Sequence, residues 1–421
     1  MGMGRSGESG DRGKASIWSA AFVALLVSNF LRTMGQSLAN TALPLYAYDL
    51  GAAASIVGVV SGSFAVTALL SRPFIGPAFD SFSKKKMIFA FGLILAVAGY
   101  AYAFVDTIPA IIAVRLIHGL GMGGAAPLGM ALASDILPDE KMNTGISIYS
   151  LAQALATAVG PAFAIWAVDV LGYFATFMIT GSFLVVSCVA VAIFVKEPEA
   201  GNRPPYELSF KRAFAKRAIP VTVVVTLMTS SFSCVASFLA IYGQLMGIAQ
   251  VGLLFTIYAL CMLATRPAVG KLADRFGTTK VVIPTSLAFI AAFVIFAFAD
   301  TFATMAVAAV VMACGWGAAS PLLQSLIFQC VPDYQHGSAS NTCFMGIDIG
   351  NLIGPYIGGF VVDVATPLLG SELAGYSVMW LLMTIPVAAG LILYLAIRGK
   401  IEKYKEDAAM ENVAVLLELD D

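Results

Sequence analysis

Charge is what this chain has least of. Asp, Glu, Lys and Arg make up 12 % of its 421 residues, and 59 % are hydrophobic. That is roughly half the charge share of an ordinary soluble domain. Too few charges remain to cover a water-facing globule, so the surrounding solvent must be lipid. Histidine is nearly missing as well. His118 and His336 share no motif, which leaves the reading of a polytopic membrane enzyme only as a remote alternative, because such enzymes cluster His and acidic residues at a membrane edge. The six cysteines (Cys188, Cys234, Cys261, Cys314, Cys330, Cys343) lie singly in apolar stretches. No CxxC pair or His-linked spacing appears, and they read as small reduced packing residues. The formal net charge is −1, and no basic stripe suggests nucleic acid. Nothing calls for a cofactor or a metal, and no soluble signalling domain is present.

What the chain does have is apolar length. Crossing about 30 Å of hydrocarbon takes a helix of about 20 residues. Twelve such stretches recur, near 17–45, 53–75, 87–105, 109–134, 144–169, 173–195, 219–245, 250–272, 281–299, 303–329, 337–363 and 375–398. The first 16 residues are polar and Gly-rich and read as a tail. The segment behind them is too long for a signal-peptide core, so no cleavage is expected.

The two halves of the chain echo each other. Ser71 to Lys86 reads SRPFIGPAFDSFSKKK, and 194 residues later Thr265 to Lys280 reads TRPAVGKLADRFGTTK. Arg72 and Arg266, Pro73 and Pro267, Gly76 and Gly270, and Asp80 and Asp274 pair at that offset. So do Pro127 and Pro321, Gly160-Pro161 and Gly354-Pro355, and Asp169 and Asp363. The offset maps stretches 2 to 5 onto 8 to 11, which gives six plus six. The expected fold is an all-α membrane protein of twelve transmembrane helices in two pseudo-symmetric six-helix bundles, 17–195 and 219–398. A linker at 196–218 joins them, and tails occupy 1–16 and 399–421. Phe210 and Phe214 among the Lys and Arg of the linker fit either a short amphipathic surface helix or a flexible charged loop.

Lys and Arg gather in the N-terminal tail, after stretch 2 (Lys84, Lys85, Lys86), in the linker, after stretch 8 (Lys271, Arg275, Lys280) and in the C-terminal tail. The alternate loops are expected to contain Asp49, Asp106, Asp169, Asp300, Asp363 and Glu372 but neither Lys nor Arg. By the positive-inside rule both termini and the linker are cytoplasmic, and the loops and length suit a prokaryotic inner membrane.

The run GKLADRFGTTK within Thr265 to Lys280 resembles the inter-helix signature of the major facilitator superfamily. Arg115-Leu116-Ile117-His118-Gly119 looks like the family's intramembrane Arg motif, and Gly350 to Gly359 looks like its Gly-Pro motif. The resemblance spans essentially the whole chain. The first copy of the signature departs from the pattern, with Ser81 in place of Arg and Ser83 in place of Gly. The Gly-Pro motif, associated with exporters in the fifth helix, is degraded there and intact in the eleventh. The resemblance implies a central cavity lined by helices 1, 4, 7 and 10. It also implies a gate on the cytoplasmic side formed by Arg72, Gly76, Asp80, Asp135, Arg266, Gly270, Asp274 and Arg275. In that geometry Asp80 and Asp274 would face helix termini of the opposite half, where free N–H groups favour a carboxylate. The alternative for each is a generic loop-capping Asp. Asp135 could pair with Arg72.

Arg32 stands about 21 Å of helix from Trp18 and about 21 Å from Tyr46, near the membrane midplane. A charge there is costly without water or a partner. Asn29, Arg32, Gln36 and Asn40 recur at helical spacing and make one polar face, expected to look into the cavity; burial in a structural ion pair is the alternative. Thr226 and Ser230, within a run of small polar residues in stretch 7, would line it from the other side. Arg115 and His118 lie one turn apart. A His could exchange a proton at cellular pH, or simply share a hydrogen bond. Asp348 is the one carboxylate placed deep in a helix. It either neutralises Arg32 or Arg115 or serves as a proton-coupling site. Small residues at i+4 steps, Gly346, Gly350, Gly354 and Gly358, with Gly160, Pro161 and Pro355, are expected to form the sliding interface between bundles.

These readings converge on a monomeric secondary active transporter, working by alternating access on a small-molecule substrate. Proton-coupled export of small anionic, zwitterionic or neutral organic compounds is expected. Uptake by proton symport, or uniport of an organic anion, is the alternative. The charges without a counterpart support this. At the 194-residue offset Arg32 corresponds to Thr226, Arg115 to Ala309 and Asp348 to Ala154. Shared residues suit the moving parts, and unshared charges suit the substrate and coupling site.

Overall fold

The computed structural model describes residues 18–137, 142–195, 214–248, 250–332 and 335–419. The amphipathic helix considered for the linker lies mostly outside them. Among the described residues the regular structure is entirely helical. The first half comprises α1 (Ala20–Asp49), α2 (Ala54–Gly62), α3 (Phe64–Ser81), α4 (Lys84–Ala101), α5 (Ile108–Ile136) and α6 (Met142–Phe194). The second half comprises α7 (Ile219–Leu245), α8 (Val251–Phe276), α9 (Thr278–Ala297), α10 (Phe302–Met312), α11 (Ala318–Gln329), α12 (His336–Leu369), α13 (Glu372–Leu382) and α14 (Thr384–Leu419).

Local chemistry sets many of the boundaries. Ser19 opens α1 by accepting the Phe22 N–H at 3.2 Å, and Ser83 does the same for Lys86 at the start of α4. Thr301 and Thr304 form a capping box ahead of α10. Gly370 ends α12 in the left-handed region at φ 68°, a conformation glycine adopts without a Cβ penalty. Gly172, at φ 79° and ψ 170°, divides α6 into two helices. The Ile148–Phe194 stretch has 47 residues, about twice what one crossing needs.

Ten of the helices are long and apolar enough to cross a membrane. α1 is not among them, because Asn29, Arg32, Gln36 and Asn40 dilute its apolar character. With α1 added and α6 divided, the segments are consistent with the twelve expected. Large apolar side chains lie bare on the outside, among them Leu70, Phe104, Phe298, Leu368 and Ile392. A surface of that kind suits acyl chains rather than water. α14 runs to Leu419, beyond the expected end of its stretch at 398, and Glu411 on it accepts from Arg217 at 2.7 Å.

The halves meet along two seams. One brings α2 and α3 against α12; the other brings α6 against α8. We call the end of the molecule at which α1 begins and α14 ends the near end, and the opposite end the far end. At the far end Asp363 of α12 caps α2 across the seam. Its carboxylate accepts from the backbone N–H groups of Ala54 at 2.9 Å and Ser55 at 3.0 Å. Tyr48 donates to Glu372 at 3.3 Å beside it.

Glycines set how closely the backbones approach, and their positions correct one expectation. Gly346, Gly350, Gly354 and Gly358 do not face the other half. They pack on α7 of their own half, against Thr222 and Thr226, then Thr229 and Ser230, then Ser230 and Ser233, then Cys234. Gly160 likewise packs on Ser37 and Met34 of α1. The stripe that crosses between halves lies one residue further on: Asn351, Pro355, Gly359 and Asp363. Asn351 meets Gly62, Pro355 meets Gly58, and Gly359 meets Ala54. One residue turns a helix face by about 100°, enough to exchange one neighbour for another.

Candidate functional site

Between the halves lies a cavity with about 1110 Å³ of empty space, its open side included. α1 contributes Ser37, Asn40 and Thr41; α5 contributes Arg115; α7 contributes Phe232, Ser233 and Ser237; α8 contributes Phe255 and Tyr258. The lining is mostly apolar and aromatic, with a few polar groups, as organic-ligand sites usually are.

Arg115 is the charge on that wall, and it is 1 % exposed. The junction of α2 and α3 at Ser63 lets it be buried there. Arg115 donates through Nε to the carbonyl of Val60 at 3.1 Å and through Nη2 to that of Ser61 at 2.9 Å. Its guanidinium lies over the Phe64 ring, 4.7 Å from the centroid. Nη1 is buried and has no hydrogen-bond partner, and no described carboxylate pairs with the group. Oδ1 of Asn40, also on the wall, is buried and unpartnered too. Backbone carbonyls solvate the cation without neutralising it. The guanidinium thus lies buried in the cavity wall with no described carboxylate beside it.

The rest of the expected polar face of α1 is not on the wall. Arg32 is buried and donates to Asn29 Oδ1 at 2.8 Å and Gln36 Oε1 at 2.9 Å, both on its own helix. Asn29 in turn donates to the carbonyl of Tyr149 at 3.1 Å. Only Asn40 of that face reaches the cavity. On α7 the side chains of Thr226 and Ser230 turn back to the carbonyls of Thr222 and Leu227. Ser233 and Ser237 line the cavity instead. His118 is fully buried; its Nδ1 lies 2.9 Å from the Tyr102 hydroxyl, and Nε2 has no partner.

Asp348 pairs with neither Arg32 nor Arg115. It accepts from Arg72 Nε at 2.5 Å across the α3–α12 seam, with both side chains buried. Phe344 lies beneath the same guanidinium, 5.0 Å away at its centroid. Arg72 thus has its carboxylate partner on α12, and the pairing suggested with Asp135 concerns a side chain outside those described. The side chains of Gly76, Asp80 and Asp274 are outside them as well. On the second seam, Arg266 is half-buried with Nε unpartnered, a Cβ at Gly270 would meet nothing within 4 Å, and Arg275 is exposed over the Phe276 ring.

Sequence reasoning missed Gly58, Gly62 and Asp363 at the interface. The first two were legible, since Ala54, Gly58 and Gly62 form a small-residue row at i+4 steps. It also missed Phe232, Phe255 and Tyr258, which carry no mark apart from other apolar helix residues.

Comparison with known proteins places these features in a family. The family model for the Major Facilitator Superfamily matches residues 25–249 and 221–417. The multi-drug resistance efflux pump PmrA of Streptococcus pneumoniae is 24 % identical over 361 residues, covering 82 % of this chain and 87 % of its own. The multidrug resistance protein MdtG of Serratia proteamaculans is 26 % identical, with 82 % and 87 % covered. Among solved structures, a bacterial homologue of the human lysosomal transporter Spinster, in an inward-facing and unoccupied conformation, superposes with a TM-score of 0.75. It shares 15 % identity, over 93 % of this chain and 99 % of that one.

Proposed function

Because the chain belongs to the Major Facilitator Superfamily, and is therefore an integral membrane transporter of small molecules rather than an enzyme, we propose that it is a proton-coupled exporter. Its cargo is small anionic, zwitterionic or neutral organic compounds. One observation carries the cargo class: Arg115 lines the cavity with Nη1 unpartnered and no described carboxylate beside it. A lipophilic cation would meet like charge there, while the aromatic walls suit an apolar body. The likeness to PmrA, an efflux pump by name, supports export.

The mechanism is alternating access around a site held between halves. The distribution of Lys and Arg supports a cytoplasmic near end, in a prokaryotic inner membrane. Closure at Asp363, together with open space at Gly270, supports an inward-facing state of a monomer. Arg115 with His118, and the Arg72–Asp348 pair, are the candidate coupling groups. Arg72, Arg266 and Arg275, with Gly76, Asp80, Asp135, Gly270 and Asp274, form the near-end gate.

Transport by everted vesicles under pH gradients of either sign tests the assignment. Uphill movement of an organic anion such as benzoate, driven by acid inside the everted vesicle, is expected. Strong efflux of ethidium, unaffected by Arg115→Gln, contradicts the cargo class. Movement at equal rate without a gradient contradicts the coupling.

A further inference from the structure

The two seams are built from one repeat, yet among the described residues only one of them has its ion pair. On the first, Arg72 meets Asp348 and the Phe344 ring. On the second, the residue in the place of Arg72 is Arg266, and those in the places of Asp348 and Phe344 are Ala154 and Ser150. Arg266 thus keeps the cation of the pair and has lost both of its supports. Its Nε is buried without a hydrogen-bond partner, and no described carboxylate is paired with it.

Arg266 is also placed to meet a ligand. It lies on α8, the helix whose Phe255 and Tyr258, the latter eight residues earlier, line the cavity. One turn further on, a Cβ at Gly270 would meet nothing within 4 Å, and Ser150 on the facing helix is exposed. Space is therefore left beside Gly270 on this seam, whereas Arg72 on the other is buried against Asp348 and Phe344. An ionised guanidinium at membrane depth needs a counter-charge or water.

We infer that Arg266 is a second anion-binding residue of this transporter, taking a carboxylate or phosphate group of the cargo in the place that Asp348 fills on the matching seam. The inference rests on the anionic-cargo reading and adds a residue to it. Arg115 recognises the anion within the cavity. Arg266 receives it between α6 and α8 at the near-end side.

The test uses the full chain in nanodiscs of neutral lipid, with benzoate and inorganic phosphate as probes and the unfolding midpoint as readout. Benzoate or phosphate is expected to raise the midpoint of the wild type. Arg266→Gln is expected to require roughly tenfold more probe for half of that shift, as loss of a charge-assisted contact implies. Ala154→Asp supplies the missing carboxylate from within the chain. It is expected to weaken the probe to the same degree, and the neutral Ala154→Asn is not. If Ala154→Asp fails to fold, Arg266→Gln alone decides. A wild-type response in Arg266→Gln, with loss in Arg115→Gln, overturns this inference and leaves the cavity reading standing. A wild type blind to both probes overturns the two together. Adding anionic lipid distinguishes the source of the anion: stabilisation that depends on Arg266 with that lipid, and not with either probe, assigns the site to a headgroup and overturns the cargo role.

Discussion

Arg32, Arg72 and Arg115 are all buried, and each is accommodated differently. Arg72 has a carboxylate, Arg115 has two backbone carbonyls and a ring, and Arg32 has neutral amides of its own helix. The difference decides what each can do. A neutralised cation is held by its partner and exerts little pull on cargo, and one that is solvated without being neutralised can still attract an anion. Asp348→Ala leaves Arg72 buried and alone, and is expected to cost about 3–5 kcal/mol by denaturant or thermal unfolding. Replacing both partners by leucine is expected to recover most of that loss, whereas a catalytic-style proton relay through Asp348 would lose transport in either variant. Arg115 could be recognised from its own sequence neighbourhood, a charge within an apolar run. The partner of Arg72 could not, because it lies 276 residues away and local spacing says nothing of which helix faces which.

At the scale of the helix, small side chains determine neighbours, and the direction they face must be known to within one residue. The row Gly346, Gly350, Gly354 and Gly358 was legible as a close-packing face, but not its partner, which proved to be α7. A methyl group at Gly354 would run into Ser230, so Gly354→Ala is expected to destabilise by about 1–3 kcal/mol. Gly270→Ala, in open space, is expected to change stability by less than about 0.5 kcal/mol. Asp363 joins two helices of different halves. Asp363→Ala removes the cap from α2, at a cost of about 0.5–2 kcal/mol, charged to the far-end-closed state. Labelling of far-end cysteines introduced on α2 is expected to become faster in that variant. An unchanged rate would show that the cap does not hold the seam.

Across the whole molecule, the all-helical membrane fold was legible at once, and one 194-residue offset led to the expectation of two six-helix units. What duplication could not convey is how far the two seams differ, since symmetry predicts that they match. Asp363 caps α2 at the far end, while its repeat partner Asp169 is exposed. Among the described residues the ion pair of the first seam has no counterpart on the second. This asymmetry leaves one side of the machine latched and the other free to receive cargo. Arg115 stands at the centre of the account, as the cavity's unneutralised charge. The most direct measurement is uptake of benzoate and of ethidium into proteoliposomes under an imposed pH gradient, for the wild type and Arg115→Gln side by side. The account predicts that the wild type moves benzoate and that Arg115→Gln slows it by roughly tenfold or more, in line with loss of a charge-assisted contact. Rapid ethidium transport that is the same in both proteins would contradict it.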